Sequence, residues 1–236
     1  MGEDPTGSAA RPETNWSPAE EDIMKATYRA LLQHGYAGLS ISRIAEELDK
    51  SKASIYYHYD SKDDLLVTFL EYAADQFESS VATETGDDPR ADLEHVVEKL
   101  LPRQLDEEQR QVQSVVLGLR GQAVTSEPFR EQITAMDDRL ASTVREIVDR
   151  GIEDGTFRDV DSWRVAEHVL ATVNGAMYAR ATTDRENAVV AARDSLSAYL
   201  DVTLVGESSP PESESSTQAD ETSTQEAQPS TQEDGT

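Results

Sequence analysis

Residues 51 to 62 read Ser-Lys-Ala-Ser-Ile-Tyr-Tyr-His-Tyr-Asp-Ser-Lys, a concentration of groups suited to a polyanion. Lys52 can neutralise a phosphate or donate to guanine. Ala53 can lie against a thymine methyl, and Ser54 is short enough to let the backbone approach. Tyr56, Tyr57 and His58 offer hydroxyls and a ring nitrogen to a phosphate chain. Lys62 opens the following segment, where unpaired helix N–H groups favour an anion. Ile55 is the apolar anchor of this stretch, and Tyr59 follows it into the core. An aromatic core patch is the competing reading of the four rings. A helix has only one inward face, however, so at least two of them must meet solvent or a partner.

Such side chains need a rigid mount. The preceding residues Ile41–Leu48 form a short helix with Ile44, Ala45 and Leu48 facing inward, Ser40 before its start and Arg43 in its first turn. Asp49-Lys50-Ser51 is a turn, and Lys52–His58 is a second short helix. Two short helices joined this closely make a helix-turn-helix. Local charge agrees. Between Arg43 and Lys62 four bases (Arg43, Lys50, Lys52, Lys62) balance four acids (Glu46, Glu47, Asp49, Asp60), in a chain of net charge −26.

The rest of the chain is also helical in pattern. Ser17 and Pro18 start a first helix that Gly35 ends near His34. Beyond Ser61, with Asp64 placed as in a capping box, a helix runs to about Val81. Further helices fit Ala91–Leu101, Glu107–Val124, Glu127–Gly151, Ser162–Thr182 and Glu186–Leu204. The expected fold is all-α, with about nine helices. Residues 17–63 form the helix-turn-helix domain, and residues 64–205 form a helical regulatory and dimerisation domain. Residues 1–16 and 206–236 are small, polar and rich in Pro, Ser, Thr and acids, and are expected to be disordered.

Composition excludes several functions. The 236 residues include no Cys, so disulfide frameworks, thiol nucleophiles and Cys-based zinc sites are absent. His34, His58, His95 and His168 lack metal-ligand spacing. There is no phosphate-binding Gly-rich loop or nucleophile elbow. An enzyme is not expected, nor is a cofactor. No apolar run approaches the roughly 20 residues that span a bilayer, and Met1–Asn15 has no apolar core of a secretory signal. A cytoplasmic protein with no membrane partner is expected. The 47 acids face only 21 bases, of which 5 are lysines. That balance suggests a halophilic protein suited to a salt-rich cytoplasm. Affinity for DNA should then depend only shallowly on salt.

Residues Ile23 to Leu66 resemble the N-terminal domain of the TetR (tetracycline-repressor, TetR/AcrR) family of transcriptional regulators. The shared pattern includes Gly35-Tyr36, Leu39-Ser40, Ile44-Ala45, Ser51-Lys52, Ile55-Tyr56-Tyr57-His58-Tyr59 and Ser61-Lys62. The turn departs from the family's usual Gly plus small apolar residue, and Tyr59 replaces the more usual Phe, so its hydroxyl needs a partner. A looser likeness covers Gly151-Ile152, Gly155-Thr156-Phe157, Asn174-Gly175 and Tyr178. The resemblance places Ser40, Arg43, Ser51, Lys52, Ala53, Ser54, Tyr56, Tyr57, His58 and Lys62 at or near DNA.

It also implies a homodimer joined through the eighth and ninth helices, on a palindromic operator in double-stranded DNA. Two stripes, Leu170, Val173, Met177, Ala181 and Val189, Leu196, Tyr199, Leu200, are the candidate interface. The middle helices would enclose a cavity for an unknown small-molecule effector, with Tyr72, Gln113, Met136, His168, Asn174 and Tyr178 as candidate lining. A net-negative wall would favour a cationic or neutral apolar ligand. The function implied is a ligand-responsive regulator, a repressor in the first reading. An activator using the same DNA site, or an all-helical protein-interaction module, are the alternatives.

Overall fold

Among the described residues of the computed structural model (16–82, 86–185 and 187–206), all regular structure is helical and no strand occurs. The α-helices are α1 (Pro18–Gly38), α2 (Ile41–Leu48), α3 (Lys52–Tyr56), α4 (Lys62–Ala82), α5 (Pro89–Leu100), α6 (Glu107–Gln122), α7 (Glu127–Glu153), α8 (Ser162–Thr182) and α9 (Ala188–Leu200). A π-helical turn, Asp201–Val205, extends α9. Glu186, expected to open the last helix, lies outside the described residues, as do 1–15 and 207–236.

Short polar side chains set the helix starts. Ser17 and Glu20 form a reciprocal capping box on α1, with Pro18 in its first turn. Asp106 and Gln109 do the same on α6. Ser40, Asp88 and Asp161 cap α2, α5 and α8 by accepting backbone N–H groups. Each such bond satisfies a donor that the helix leaves unpaired, worth about 1 kcal/mol. Gly35 has φ 62° and breaks the helical path where a stop was expected, yet the chain resumes helical turns to Gly38. Asp49 takes the left-handed conformation that the turn requires, at φ 53°.

α3 is shorter than expected. It ends at Tyr56, and Tyr57 and His58 continue in a turn, with His58 N–H donating to the Ile55 carbonyl at 3.0 Å. Ile55 alone anchors it, fully buried between α1, α2 and α4. Trp16, assigned from sequence to the N-terminal segment, is packed. Its ring meets Tyr72 edge-on at 5.5 Å, and its Nε1 donates to Asp75 Oδ2 at 2.8 Å.

Two buried apolar clusters hold the molecule together. The first joins α1, α2, α3 and α4 to α6 and the start of α7 through Met24, Leu31, Ile44, Leu66, Leu119 and Phe129. The helix-turn-helix therefore has no core of its own. Its apolar face is shared across the boundary placed at 63/64. The second cluster joins the end of α4, α5, α7, α8 and α9. There Gly151 lets the chain fold back after α7, since a Cβ on it would fall 2.1 Å from the Phe157 ring.

This second core claims residues assigned from sequence to a dimer interface. Val173, Val189 and Leu196 belong to it at 1–3% exposed, and Leu170, outside the cluster, is 9% exposed, all within one chain. Both stripes were sought on apolar periodicity, and in an antiparallel pair of helices the most apolar stripes face each other first. Met177, Tyr199 and Leu200 flank the same core, and only Ala181 is exposed.

Candidate nucleic-acid interface and ligand cavity

α3 presents its polar residues outward. Lys52, Ala53, Tyr56, Tyr57 and His58 are exposed, Tyr57 by 86%. Among the described residues no hydrogen bond or ion pair holds the side chains of Lys52, Tyr56, Tyr57 or His58. The Tyr57 and His58 rings meet edge to face at 5.2 Å, and the His58 ring also lies 6.2 Å from that of the buried Tyr59. Ser51 is exposed, and its side chain makes no cap bond. Ser54 Oγ donates to the Ser51 carbonyl at 2.6 Å, stiffening the start of the helix.

The flanking residues of the interface are held in place from below. Ser40 Oγ accepts the Arg43 N–H at 3.3 Å. The Arg43 guanidinium donates to the Gly38 carbonyl, so it is drawn back toward α1. Lys62 sits 4.8 Å above the Tyr36 ring, a cation–π contact that steadies its ammonium at the start of α4. Arg29 ties α1 to the end of α2, with Nε 3.2 Å from Glu47 Oε2 and Nη2 donating to the Glu47 carbonyl at 2.9 Å. That pairing turns one of the local acids away from the outward face.

Tyr59 lies under this surface, 6% exposed. Its hydroxyl, which the sequence showed to need a partner, finds none among the described residues. Burial, helped by the carboxylates of Glu20 and Asp64, pushes its pKa up to about 12.

A cavity of about 450 Å³ opens between α4, α5, α6, α7 and α8. A neighbouring one of about 420 Å³ reaches α1 through Lys25, Tyr28 and Arg29. The two share Tyr28, Ala73, Val112, Val116 and Met136, so they are adjoining lobes. Of the expected lining, Gln113 and Asn174 face the first lobe, Tyr72 the second, and Met136 both. Gln113 Nε2 donates to the Met177 carbonyl at 3.2 Å.

His168 and Tyr178 do not belong to the lining. His168 is exposed and stacks on Tyr199 of α9 at 4.0 Å. Tyr178 is 62% exposed. Both lie on the outer stripe of α8, one register step from the inward stripe that carries Asn174. Aromatic or polar character alone did not reveal which way they point.

The cavity walls also carry ions that apolar periodicity could not flag. Arg120 grips Asp137 with both terminal nitrogens. Arg139 donates to Asp75 at 2.6 Å and to Glu78 at 2.5 and 2.6 Å. The Glu78 bond, with Asp75 behind it, raises the Arg139 pKa. Asp75 is the carboxylate that receives Trp16, so a continuous bonded chain runs from α7 through α4 to Trp16, next to the N-cap of α1. Burial raises the Tyr28 pKa, and so does the nearby Glu108, which accepts its hydroxyl at 3.4 Å.

Comparison with known proteins agrees along most of the chain. The profile of the bacterial regulatory proteins of the tetR family matches residues 23–68, and that of the BetI-type transcriptional repressor C-terminal domain matches 89–205. The transcriptional repressor AcnR of Corynebacterium glutamicum is 26% identical over 184 residues, 78% of this chain and 89% of the relative. The crystal structure of a TetR transcription regulator from Haloarcula marismortui superposes with a TM-score of 0.71 at 36% identity, covering 80% of this chain and all of the other. A regulator from Saccharomonospora viridis, crystallised with choline, gives 0.65 at 27% identity over 80% and 98% of the two chains. Among the described residues no helix is long and apolar enough to cross a membrane. Sequence, fold and relatives converge: the chain belongs to the TetR family and is a DNA-binding transcriptional regulator, not an enzyme.

Proposed function

We propose that this regulator is an effector-responsive repressor that binds a palindromic operator as a homodimer. Lys52, Ala53, Ser54, Tyr56, Tyr57 and His58 enter the major groove, with Ser40, Arg43, Ser51 and Lys62 on the flanking phosphates. The observation that carries this reading is the outward set of Lys52, Tyr56, Tyr57 and His58 on α3 and the turn after it, none of whose side chains is held by a hydrogen bond or ion pair among the described residues. A protein does not ordinarily leave two tyrosines, a lysine and a histidine side by side in water without use. One such short helix contacts too few base pairs for specific affinity. Two copies related by a two-fold axis supply the rest.

The second copy docks on the free faces of α8 and α9. His168, Ala171, Gly175 and Tyr178 recur every three or four residues on the exposed side of α8, beside exposed Ala191 and Ala198 on α9. Nothing in the chain itself approaches Gly175, which leaves room for close helix packing. This face replaces the buried stripes as the candidate interface, together with Ala181.

The adjoining lobes form the effector site. Arg29 lines the second lobe and also holds the end of α2, while Tyr28 and Lys25 line it from the same helix. A ligand that displaces this part of α1 therefore displaces the helix-turn-helix it carries. Coupling follows if the ligand prefers the arrangement with mis-spaced recognition helices. The chain would operate in a salt-rich cytoplasm, in keeping with its carboxylate excess.

Selection from a pool of random duplexes tests the reading. The expected product is a two-fold symmetric site with half-sites about 34 Å apart, or a multiple. Absence of any enriched sequence would instead indicate a module that binds protein.

A further inference from the structure

The main lobe is lined by four cations, Lys99, Arg120, Arg139 and Arg180, and four acids, Glu78, Asp106, Glu108 and Asp137. The wall is thus electrically balanced, unlike the strongly negative chain around it. Most of these charges are occupied. Arg120 holds Asp137, Arg139 holds Glu78, Lys99 donates to the Ser80 carbonyl, and Asp106 caps α6.

Arg180 is different. Its guanidinium makes one hydrogen bond, to the Pro102 carbonyl at 2.7 Å. Its Nε is buried without a partner, as is that of Arg120, but Arg120 holds Asp137 whereas no carboxylate among the described residues pairs with Arg180. Burial lowers its pKa, yet an arginine stays charged at neutral pH. A half-buried cation without a counter-charge is unfavourable, and the protein leaves this one facing the cavity. The fork of N–H donors matches a planar carboxylate, which can accept two parallel bonds. Beyond Arg180 the wall turns apolar, with Phe77, Val116, Leu140 and Met177.

We propose that the effector is an amphiphilic carboxylate, its carboxylate paired with Arg180 and its apolar body laid along Phe77, Val116, Leu140 and Met177. This rests on the reading of the cavity as the effector site. It reverses the cationic preference that the overall charge suggested, and it differs in charge from the choline bound by the Saccharomonospora viridis relative. A lobe of about 450 Å³ lies within the usual size range of small-molecule sites.

The test is calorimetric titration of the full chain with straight-chain carboxylates of six to twelve carbons, the matched alcohols and the matched trimethylammonium salts. The best carboxylate should bind at least tenfold more tightly than its alcohol or cation. Arg180→Met should abolish that preference while leaving alcohol binding unchanged, and Arg180→Lys should retain part of it. Val116→Trp, which fills the lobe, should weaken every ligand. Equal or tighter binding of the alcohol or the cation would overturn the carboxylate assignment while leaving the effector site in place. Carboxylate binding unaffected by Val116→Trp would move the site elsewhere and overturn it too. No binding by any of the three series would overturn the effector reading itself.

Discussion

The outward face of α3 and the cavity wall treat polar groups in opposite ways. On α3 and the turn after it Lys52, Tyr56, Tyr57 and His58 stand in water with no hydrogen-bond or ion-pair partner among the described residues, where leaving a group unpaired costs little because solvent satisfies it. In the wall, Arg120, Arg139 and their carboxylates are tied to each other, because an unpaired charge away from water is unfavourable. The difference teaches where to look for ligands. At the surface a whole cluster of unpaired groups points to a partner, which we propose is DNA. Inside, Arg180, the main-lobe arginine that no carboxylate among the described residues holds, is the informative residue.

The largest way to break this comparison acts on the surface side. Lys52→Ala and Tyr57→Ala should each weaken operator binding about 10- to 100-fold, from the loss of roughly 1–3 kcal/mol per contact. As exposed substitutions they should leave thermal stability within about 0.5 kcal/mol. Fluorescence anisotropy with the selected duplex and a melting curve measure both. The same titration across salt sharpens the point. Arg43, Lys52 and Lys62 are the cations placed on DNA, six per dimer, so log affinity should fall with log salt at a slope no steeper than about −5, roughly half that of a strongly basic repressor. Lys52→Ala should reduce that slope by about 2.

On the interior side the effects are smaller and fall on stability. Arg139→Met leaves Asp75 and Glu78 facing each other without their cation. It should cost about 1–2 kcal/mol in urea unfolding. In a Trp163→Phe background Trp16 is the remaining tryptophan, and its emission should shift to the red as Asp75 loses its anchor. Unchanged emission would show that the bonded chain from α7 to α1 is not coupled.

Tyr59→Phe is the mildest change. Removing a buried hydroxyl without a partner should add about 1 kcal/mol, or about 2–4 °C in Tm for a chain of this size. The pH dependence follows from the same burial. The folded pKa of about 12 lies above the value near 10 of an unfolded tyrosine. Between those values the unfolded chain holds fewer protons, so stability falls as pH rises through this window. The wild type should lose up to about 2 kcal/mol there through Tyr59, and the Phe variant should lack that component.

The helix-turn-helix was legible because its signals are local. Caps at Ser17 and Ser40, a left-handed turn residue at Asp49 and a single apolar anchor at Ile55 act within a few positions of each other. The end of α3 was not, since two further residues of helical composition continue as a turn. The faces of α8 were harder still. Val173, Asn174 and Tyr178 are all apolar or uncharged on one helix. Which of them meets α9, the cavity or the outside depends on packing by distant segments. Arg180 carried no signal at all in the sequence, because its isolation is defined only by which acids the fold brings near the other arginines.

The outward face of α3 can be tested most directly by site-specific photo-crosslinking with the selected duplex, placing the photoreactive group at position 57 and, separately, at position 178. Position 57 should yield protein–DNA adducts, and position 178 should yield a covalent pair of protein chains. DNA adducts from position 178 with none from position 57 would contradict the assignment.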